Sequence, residues 1–242
     1  MSLDAIQQKK QVIESRSRIR EFVFGIQDGL ISTVGLLAGI QSATENNLVV
    51  IVTGLTAMFS GAISMATGSF LSSGAQKDIF DKELADAERL ADREPYIAAE
   101  GLLKALGDEG LSKEQSYRMV KVLLLERNVF LRTFQEKVFG LGSAEINQPI
   151  KAALVMGLSF IVGAIIPILP YLAMAGVTAL YLSVFLSAST LFIVGAFKGH
   201  LAGQSLAISG GKFFIIAVSA AGLGYLIGLT VQFFFPGISI PV

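Results

Sequence analysis

The sequence predicts an all-α membrane protein with five transmembrane helices and a cytosolic three-helix insert between helices two and three. Apolar residues make up 52% of the chain and the mean hydropathy is +0.64, which is more apolar than an ordinary soluble domain. Five stretches are long and apolar enough to cross about 30 Å of hydrocarbon as helices. All nineteen Lys and Arg residues lie on one side of this five-span arrangement.

The N-terminal half is predicted to contain a tail, two spans and the insert. Residues 1–19 are polar and are expected to form a cytosolic tail or amphipathic helix, with no cleaved signal peptide. Residues 20–73 hold the first two spans, 22–43 and about 48–73, joined by a loop that contains no Lys or Arg.

Residues 74–147 are rich in charge, so we expect them to form the insert. Its first helix, about 74–93, should continue directly from the second span because no Pro or Gly-rich linker intervenes. Pro95 is typical of the first turn of a second helix that extends to Leu106. Ser112 and Gln115 have the spacing of a capping box, which predicts a third helix extending to about 138.

Residues 148–242 are predicted to contain the last three spans, about 150–170, 172–197 and 213–235, with a polar loop from Lys198 to Lys212. Of the basic residues, five precede or begin the first span, twelve lie between spans two and three, and two lie between spans four and five. The positive-inside rule therefore predicts a cytosolic N-terminus and insert, and a C-terminus on the other side.

Asp28 is a carboxylate inside the first predicted span. A charged group at the centre of a membrane helix costs about 2.5–3.5 kcal/mol on insertion scales, so such residues commonly face a cavity, a cation or a partner. Asp28 is the only acid within the five proposed spans. We interpret it as a cation ligand. The alternative is a carboxylate that only caps or hydrogen-bonds a neighbouring helix.

Met65 in the second span is predicted to lie at the same depth as Asp28, roughly 12 Å from the cytosolic end of its helix. A carboxylate and a thioether together suit a borderline divalent metal better than Na⁺ or Mg²⁺, and Ser64 and Ser69 could add oxygen ligands. The alternative for Met65 is ordinary core packing.

The insert offers a second set of candidate metal ligands. Seven acids lie between Asp78 and Glu94, and a clustered carboxylate face can bind divalent cations. Interleaved Lys and Arg residues make a solvated charged face an equal alternative. The candidate ligands in the insert are Asp81, Glu88, Glu100 and Glu126.

Several function classes are excluded or disfavoured. The chain has no cysteine and one histidine, which excludes disulfides, thiolate metal sites and multi-histidine zinc sites. No nucleophile elbow, phosphate loop or Ser/His/Asp set is present, so we do not expect an enzyme or a bound cofactor. The absence of a broad basic field argues against nucleic acid as a partner.

The combination of motifs resembles the vacuolar iron transporter family. The matching stretches are FGIQDGLISTVGLLAGI (24–40), SGAISMATGSFLSSGAQ (60–76), NQPIKAALVMGLSFIVGAIIPILPY (147–171), and the segment from Gly195 through SGGKFFIIAVSAAGLGYLIG to Gly228. They cover all five predicted spans in order.

The resemblance implies a homodimer of five-helix subunits with a metal path lined by the first two helices. It also implies a cytosolic module that collects metal, and export of Fe²⁺ or Mn²⁺ from the cytosol in exchange for protons. Asp28 and Met65 match the family's path residues. The protein would lie in the cell membrane of a prokaryote or the vacuolar membrane of a eukaryote.

This sequence departs from the family pattern at several positions. Ser69 stands where members usually have glutamate, the glutamate repeats of the first insert helix are only partly present, and Leu123-Leu124-Leu125 replaces an expected methionine-bearing site. These departures leave one competing hypothesis, a non-transporting membrane scaffold or regulator that retains the fold.

Overall fold

The computed structural model describes residues 3–140, 148–201 and 203–234, with side chains described from residue 19 onward. Parts of the predicted tail, of the insert after residue 140 and of the C-terminal segment lie outside the described residues. The described part of the chain forms eight helices: α1 (Leu3–Ala43), α2 (Asn47–Arg93), α3 (Pro95–Asp108), α4 (Lys113–Leu123), α5 (Arg127–Val138), α6 (Pro149–Ala173), α7 (Gly176–Leu201) and α8 (Leu206–Phe234).

The chain divides into two compact units. One contains Met1–Phe70 together with Pro149–Val242, and the other contains Leu71–Gln148. Among the described residues, five helices are long and apolar enough to cross a membrane: α2, α6, α8, residues Ile19–Ala43 of α1 and residues Gly176–His200 of α7. The protein is therefore a multi-pass membrane protein, and its described part is all-α, as predicted.

Helix α1 is central in the first unit, because it packs against α6, α7 and α8. Its contact with α8 depends on glycine. A Cβ at Gly35 would lie 3.1 Å from the carbonyl oxygen of Ala220, and one at Gly39 would lie 3.0 Å from that of Gly224. A Cβ at Gly224 would overlap the carbonyl oxygen of Gly35. The two backbones are thus in direct contact, as in other small-residue membrane interfaces.

A second pair of glycines brings α1 against α6. A Cβ at Gly25 would lie 2.8 Å from the carbonyl oxygen of Met156, and one at Gly29 would overlap that of Phe160. From α6, Gly163 approaches the Ile26 carbonyl equally closely. Both glycine pairs lie within the first predicted span, so neighbouring backbones contact α1 directly on either side of its midpoint.

The larger core cluster of this unit joins all five membrane helices, and its bulkiest members include Leu37, Met58, Phe160, Ile168 and Tyr171. A smaller cluster joins α1, α7 and α8 through Leu30, Leu191 and Phe213. The outward faces carry large apolar side chains, as expected for helices that contact lipid.

Two helix boundaries in this unit bear on the predictions. Helix α2 runs without interruption from the second span into the charged segment, as predicted. The polar loop predicted from Lys198 to Lys212 is mostly helix, since α7 continues to Leu201 and α8 begins at Leu206. A lysine can remain in a membrane helix when its long apolar stem carries the ammonium to the interface. The predicted loop was too long because Lys198 and Lys212 were taken to mark the ends of the two helices.

The second unit has its own hydrophobic core. The buried side chains come from the end of α2 and from α3, α4 and α5, and they are Ala87, Ala98, Leu102, Leu106, Val120, Phe130 and Phe134. Helix α4 begins with the predicted capping box, in which Ser112 Oγ accepts from the Gln115 N–H and Gln115 Oε1 accepts from the Ser112 N–H.

The single helix predicted for 112–138 is wrong, because the chain breaks it into α4 and α5. Glu126 between them is extended, with φ −123° and ψ 93°. Neither Pro nor Gly marks the break in the sequence. The break is explained by tertiary contacts, because it allows Phe130 and Phe134 to enter the core while Arg127 reaches α2.

Gly224 should be intolerant of even one added methyl group. We expect Gly224→Ala to lower the free energy of unfolding by about 1–3 kcal/mol, because overpacking forces the two backbones apart. The measurement is the melting temperature of the purified protein in detergent. Gly222→Ala is the matched control, since a Cβ there meets nothing within 4 Å. Equal melting temperatures for the two variants would contradict the α1–α8 contact.

Candidate functional site

Asp28 lies on α1 between Gly25 and Gly29, the two glycines through which this helix contacts α6. Gly29, the next residue, is buried against α6, whereas the Asp28 side chain is half-buried. The fold therefore fixes the helix backbone at Asp28 tightly while leaving the carboxylate at the edge of the packed region.

The hydrogen bonds around Asp28 leave its carboxylate available. Ser32 Oγ donates to the Asp28 backbone carbonyl at 2.6 Å, a contact within α1. Within the described residues, no side chain donates a hydrogen bond or an ion pair to the Asp28 carboxylate. The capping alternative has no described hydrogen bond to support it, and the group can accept a cation or a proton.

Met65 lies on α2 and packs against the larger core cluster. The neighbouring part of α2 contacts α6, because a Cβ at Gly61 would overlap the Phe160 ring and Gly157 fits against Ala62 and Ala66. Asp28 and Met65 thus belong to two helices that each pack against α6 near these residues. Core packing accounts for Met65 within one chain, and its role as a ligand stays a prediction.

The two serines suggested as additional ligands differ in exposure. Ser64 is exposed, and it shares one side of α2 at helical spacing with three other exposed hydroxyl residues, Thr56, Ser60 and Thr67. We call these four residues the hydroxyl stripe. Ser69 is buried and makes an interaction of its own.

Glu21 is a second acid that sequence reasoning missed. Glu21 lies one residue before the predicted first span of 22–43, so Asp28 stays the only acid within the five proposed spans. Glu21 is 7% exposed, and its Oε1 accepts from Arg20 at 3.1 Å. It precedes Asp28 by two helical turns, about 10 Å along the same side of α1. The two-turn spacing between Glu21 and Asp28 is the sequence feature that could have identified Glu21.

The four candidate ligands of the insert are spread over three elements, since Asp81 and Glu88 are both on α2. These two have basic partners, because Lys77 Nζ lies 3.0 Å from Asp81 and Arg127 Nη2 lies 3.1 Å from Glu88. Glu100 is exposed on α3, and Glu126 is exposed at the start of α5. Among the described residues, no three acidic or histidine side chains form a group that could hold a metal.

Arg127 is the principal ionic contact of the insert. Its guanidinium donates to both carboxylate oxygens of Asp92 at 2.7–3.0 Å as well as to Glu88. The hydrogen bonds that Arg127 donates to Asp92 and Glu88 raise its pKa further, so the Arg127 guanidinium keeps its positive charge at all physiological pH values. Lys137 similarly pairs with Glu109 at 2.8 Å, and this raises its pKa.

A model of the VIT family matches residues 19–229, which extend from the first membrane helix through the insert and into α8. The chain belongs to the VIT family. The resemblance on which the sequence analysis rested is therefore confirmed, and it spans most of the chain.

Named relatives within the VIT family come from plants, fungi and a protozoan parasite. The chain is 24% identical to vacuolar iron transporter 1 of Arabidopsis thaliana over 215 residues, covering 88% of this chain and 86% of that protein. It is 26% identical to vacuolar iron transporter 2 of Oryza sativa subsp. japonica, covering 88% of this chain and 87% of that protein. It is 28% identical to the vacuolar iron transporter of Plasmodium falciparum, covering 78% of this chain and 73% of that protein.

These relatives are named as transporters, which agrees with the prediction that this VIT family protein is not an enzyme. Membership supports metal transport across a membrane as its general activity. The individual site residues, by contrast, remain predictions that depend on the geometry described above.

Removing the Arg127 clamp should strengthen cation binding by the insert. We expect Arg127→Gln to increase Mn²⁺ affinity about fivefold, because Glu88 and Asp92 lose a competing positive charge at contact distance. Calorimetric titration of the full chain in detergent measures this. Arg132→Gln is the matched control, since Arg132 is an exposed arginine of α5 without an ion pair among the described residues. An affinity that does not exceed that of the control would contradict the prediction.

Proposed function

We propose that this VIT family protein moves Fe²⁺ or Mn²⁺ out of the cytosol in exchange for protons, with Asp28 as the essential ligand in the membrane. The observation that carries the proposal is a half-buried carboxylate, without a described polar partner, inside a helix that crosses the membrane. Such a group is costly in contact with lipid and is stabilised by a cation, a proton or a protein partner.

A second copy of the chain is the partner that we propose. Helices α2 and α8 are the least covered of the five in the single chain, with 22% and 17% of their apolar segments buried, compared with 44% for α1 and α6. Of these two, α2 carries the hydroxyl stripe on its exposed side, and four hydroxyl groups in a row favour a hydrated or protein-facing surface over lipid. A twofold homodimer would bring identical faces together, so that α1 and α2 of both subunits line one path.

The chemistry of exchange needs a group that binds either a metal or a proton. A carboxylate ligates a divalent metal only when it is deprotonated, so protonation from the outer side would release the metal and metal from the cytosol would displace the proton. Hydroxyl groups of α2 offer further oxygen ligands and Met65 a soft one, which suits Fe²⁺ or Mn²⁺. Glu21 extends the acidic side of α1 toward the cytosolic end.

The competing function is a scaffold or regulator that retained the fold without transporting metal. Ser69 supports it, since a hydroxyl replaces the family's carboxylate there. Retention of Asp28 and of the hydroxyl stripe argues for a working path, and the named relatives are transporters.

The proposed topology can be tested by single-cysteine labelling, because the chain has no native cysteine. All nineteen basic residues fall on one side of the five-span arrangement, so Asn46→Cys should react from outside and Gln204→Cys only from the cytosolic side. The insert can be labelled at Gly107→Cys, which should also react from the cytosolic side. Labelling of Asn46→Cys from the cytosol would overturn the arrangement.

Asp28→Asn should abolish transport because it preserves the shape of the side chain and removes its charge. We expect the initial rate of Fe²⁺ or Mn²⁺ uptake into proteoliposomes under a pH gradient to fall at least about tenfold, the equivalent of 1.4 kcal/mol. The protein should still purify with the same apparent size. Met65→Leu should change the preference between the two metals more than the rate.

Glu45→Gln is the control for Asp28→Asn, since it neutralises an exposed acid at the turn between α1 and α2. It should transport at the wild-type rate. If Asp28→Asn also transports at that rate, Asp28 is not the essential ligand.

A further inference from the structure

The end of the α7–α8 hairpin at the turn between Leu201 and Leu206, called here the inner end, carries basic side chains that have no ion pair among the described residues. Its described basic residues are Lys198, His200 and Lys212, all three exposed. The sequence contains no Asp or Glu after Glu145, so α6, α7 and α8 supply no carboxylate to this end. The acid of α1 at this end, Glu21, is buried and already paired with Arg20.

Close packing brings the basic ends of α7 and α8 together. A Cβ at Gly199 would lie 2.7 Å from the Ser209 side chain, and one at Gly195 would lie 2.8 Å from the Phe213 ring. Lys198 Nζ lies 5.3 Å from the centroid of that ring, which holds the ammonium over α8 through a cation–π contact. Lys198 is therefore fixed beside the helix that carries Lys212.

The position of Lys212 directs its charge to the same region. It lies six residues after the first residue of α8, about 9 Å into the helix. A lysine at that depth extends its apolar stem toward the interface so that the ammonium reaches the headgroup layer. The interface lies toward the start of α8, where α7 ends, so the Lys212 ammonium approaches the region of Lys198.

Exposed apolar side chains flank these charges. Phe197 of α7 and Leu206 and Ile208 of α8 are each more than half exposed, at 53%, 51% and 65%. A basic pair with apolar neighbours at the membrane boundary fits one class of ligand, which has a phosphate and acyl chains. The charge is too small and too local for a nucleic acid.

We propose that the inner end of the α7–α8 hairpin binds the headgroup phosphate of an anionic phospholipid through the ammonium groups of Lys198 and Lys212. His200 lies at the edge of this site, and Phe197 and Ile208 contact the acyl chains. The site is independent of Asp28 and of the direction of metal transport. It would make the stability of the membrane unit depend on the anionic lipid content of the bilayer.

The test compares melting temperatures of the full-length protein in nanodiscs of phosphatidylcholine with and without phosphatidylglycerol. For the wild type we expect phosphatidylglycerol to raise the melting temperature by about 4–8 °C. The variant Lys198→Gln/Lys212→Gln should lose most of this rise, and Lys198→Arg/Lys212→Arg should retain it. Native mass spectrometry should show phosphatidylglycerol retained by the wild type and the arginine variant and lost from the glutamine variant.

Lys104→Gln/Lys121→Gln is the control, because it removes the same charge from exposed insert residues that have no ion pair among the described residues. It should retain the full rise. A full rise in the Lys198→Gln/Lys212→Gln variant, or an equal loss in the control, would overturn the proposal. Soluble glycerol phosphate, added to phosphatidylcholine nanodiscs, should have no effect, and an equal rise with it would show a free-phosphate site instead of a lipid site.

Discussion

Direct backbone contact between α1 and its neighbours is the constraint on which the membrane unit depends. Lipid tails are as apolar as leucine, so burial of side chains cannot hold membrane helices together as it does in water. The glycines of α1 supply van der Waals contact instead, because Gly25 and Gly29 let α6 approach closely and Gly35 and Gly39 let α8 do so. Each glycine position excludes a side chain, and this fixes the rotation of α1 about its own axis.

That fixed rotation decides where Asp28 points. A carboxylate one residue before Gly29 cannot turn into the packed interface with α6, and it remains half-buried at the boundary of the bundle. The loosely covered α2 leaves the hydroxyl stripe uncovered in the single chain. The same packing that holds α1 rigid thus leaves polar groups of the first two helices partly uncovered in the single chain, which is what the proposed dimer and cation path require.

Sequence patterns predicted the features that follow from local composition. Apolar length identified the five spans, and the absence of Pro and Gly-rich linkers predicted that α2 would continue into the charged segment. The break between α4 and α5 was missed because it depends on tertiary contacts of Phe130 and Arg127. No Pro or Gly near the break indicates it in the sequence. The start of α8 and the burial of Glu21 were missed because a charged residue was taken as the end of a span.

The acids of the two units illustrate how context changes the use of one residue type. In the insert, Glu88 and Asp92 stand opposite Arg127, and Asp81 stands beside Lys77, so their charges are already balanced within the protein. Exposed ion pairs of this kind contribute little to stability. Their basic side chains nevertheless compete with an approaching metal ion for the carboxylates. Asp28 has no described basic partner, and lipid cannot provide one. Under the proposed function, a metal or a proton supplies the compensating charge, which is the condition that exchange at a single carboxylate requires.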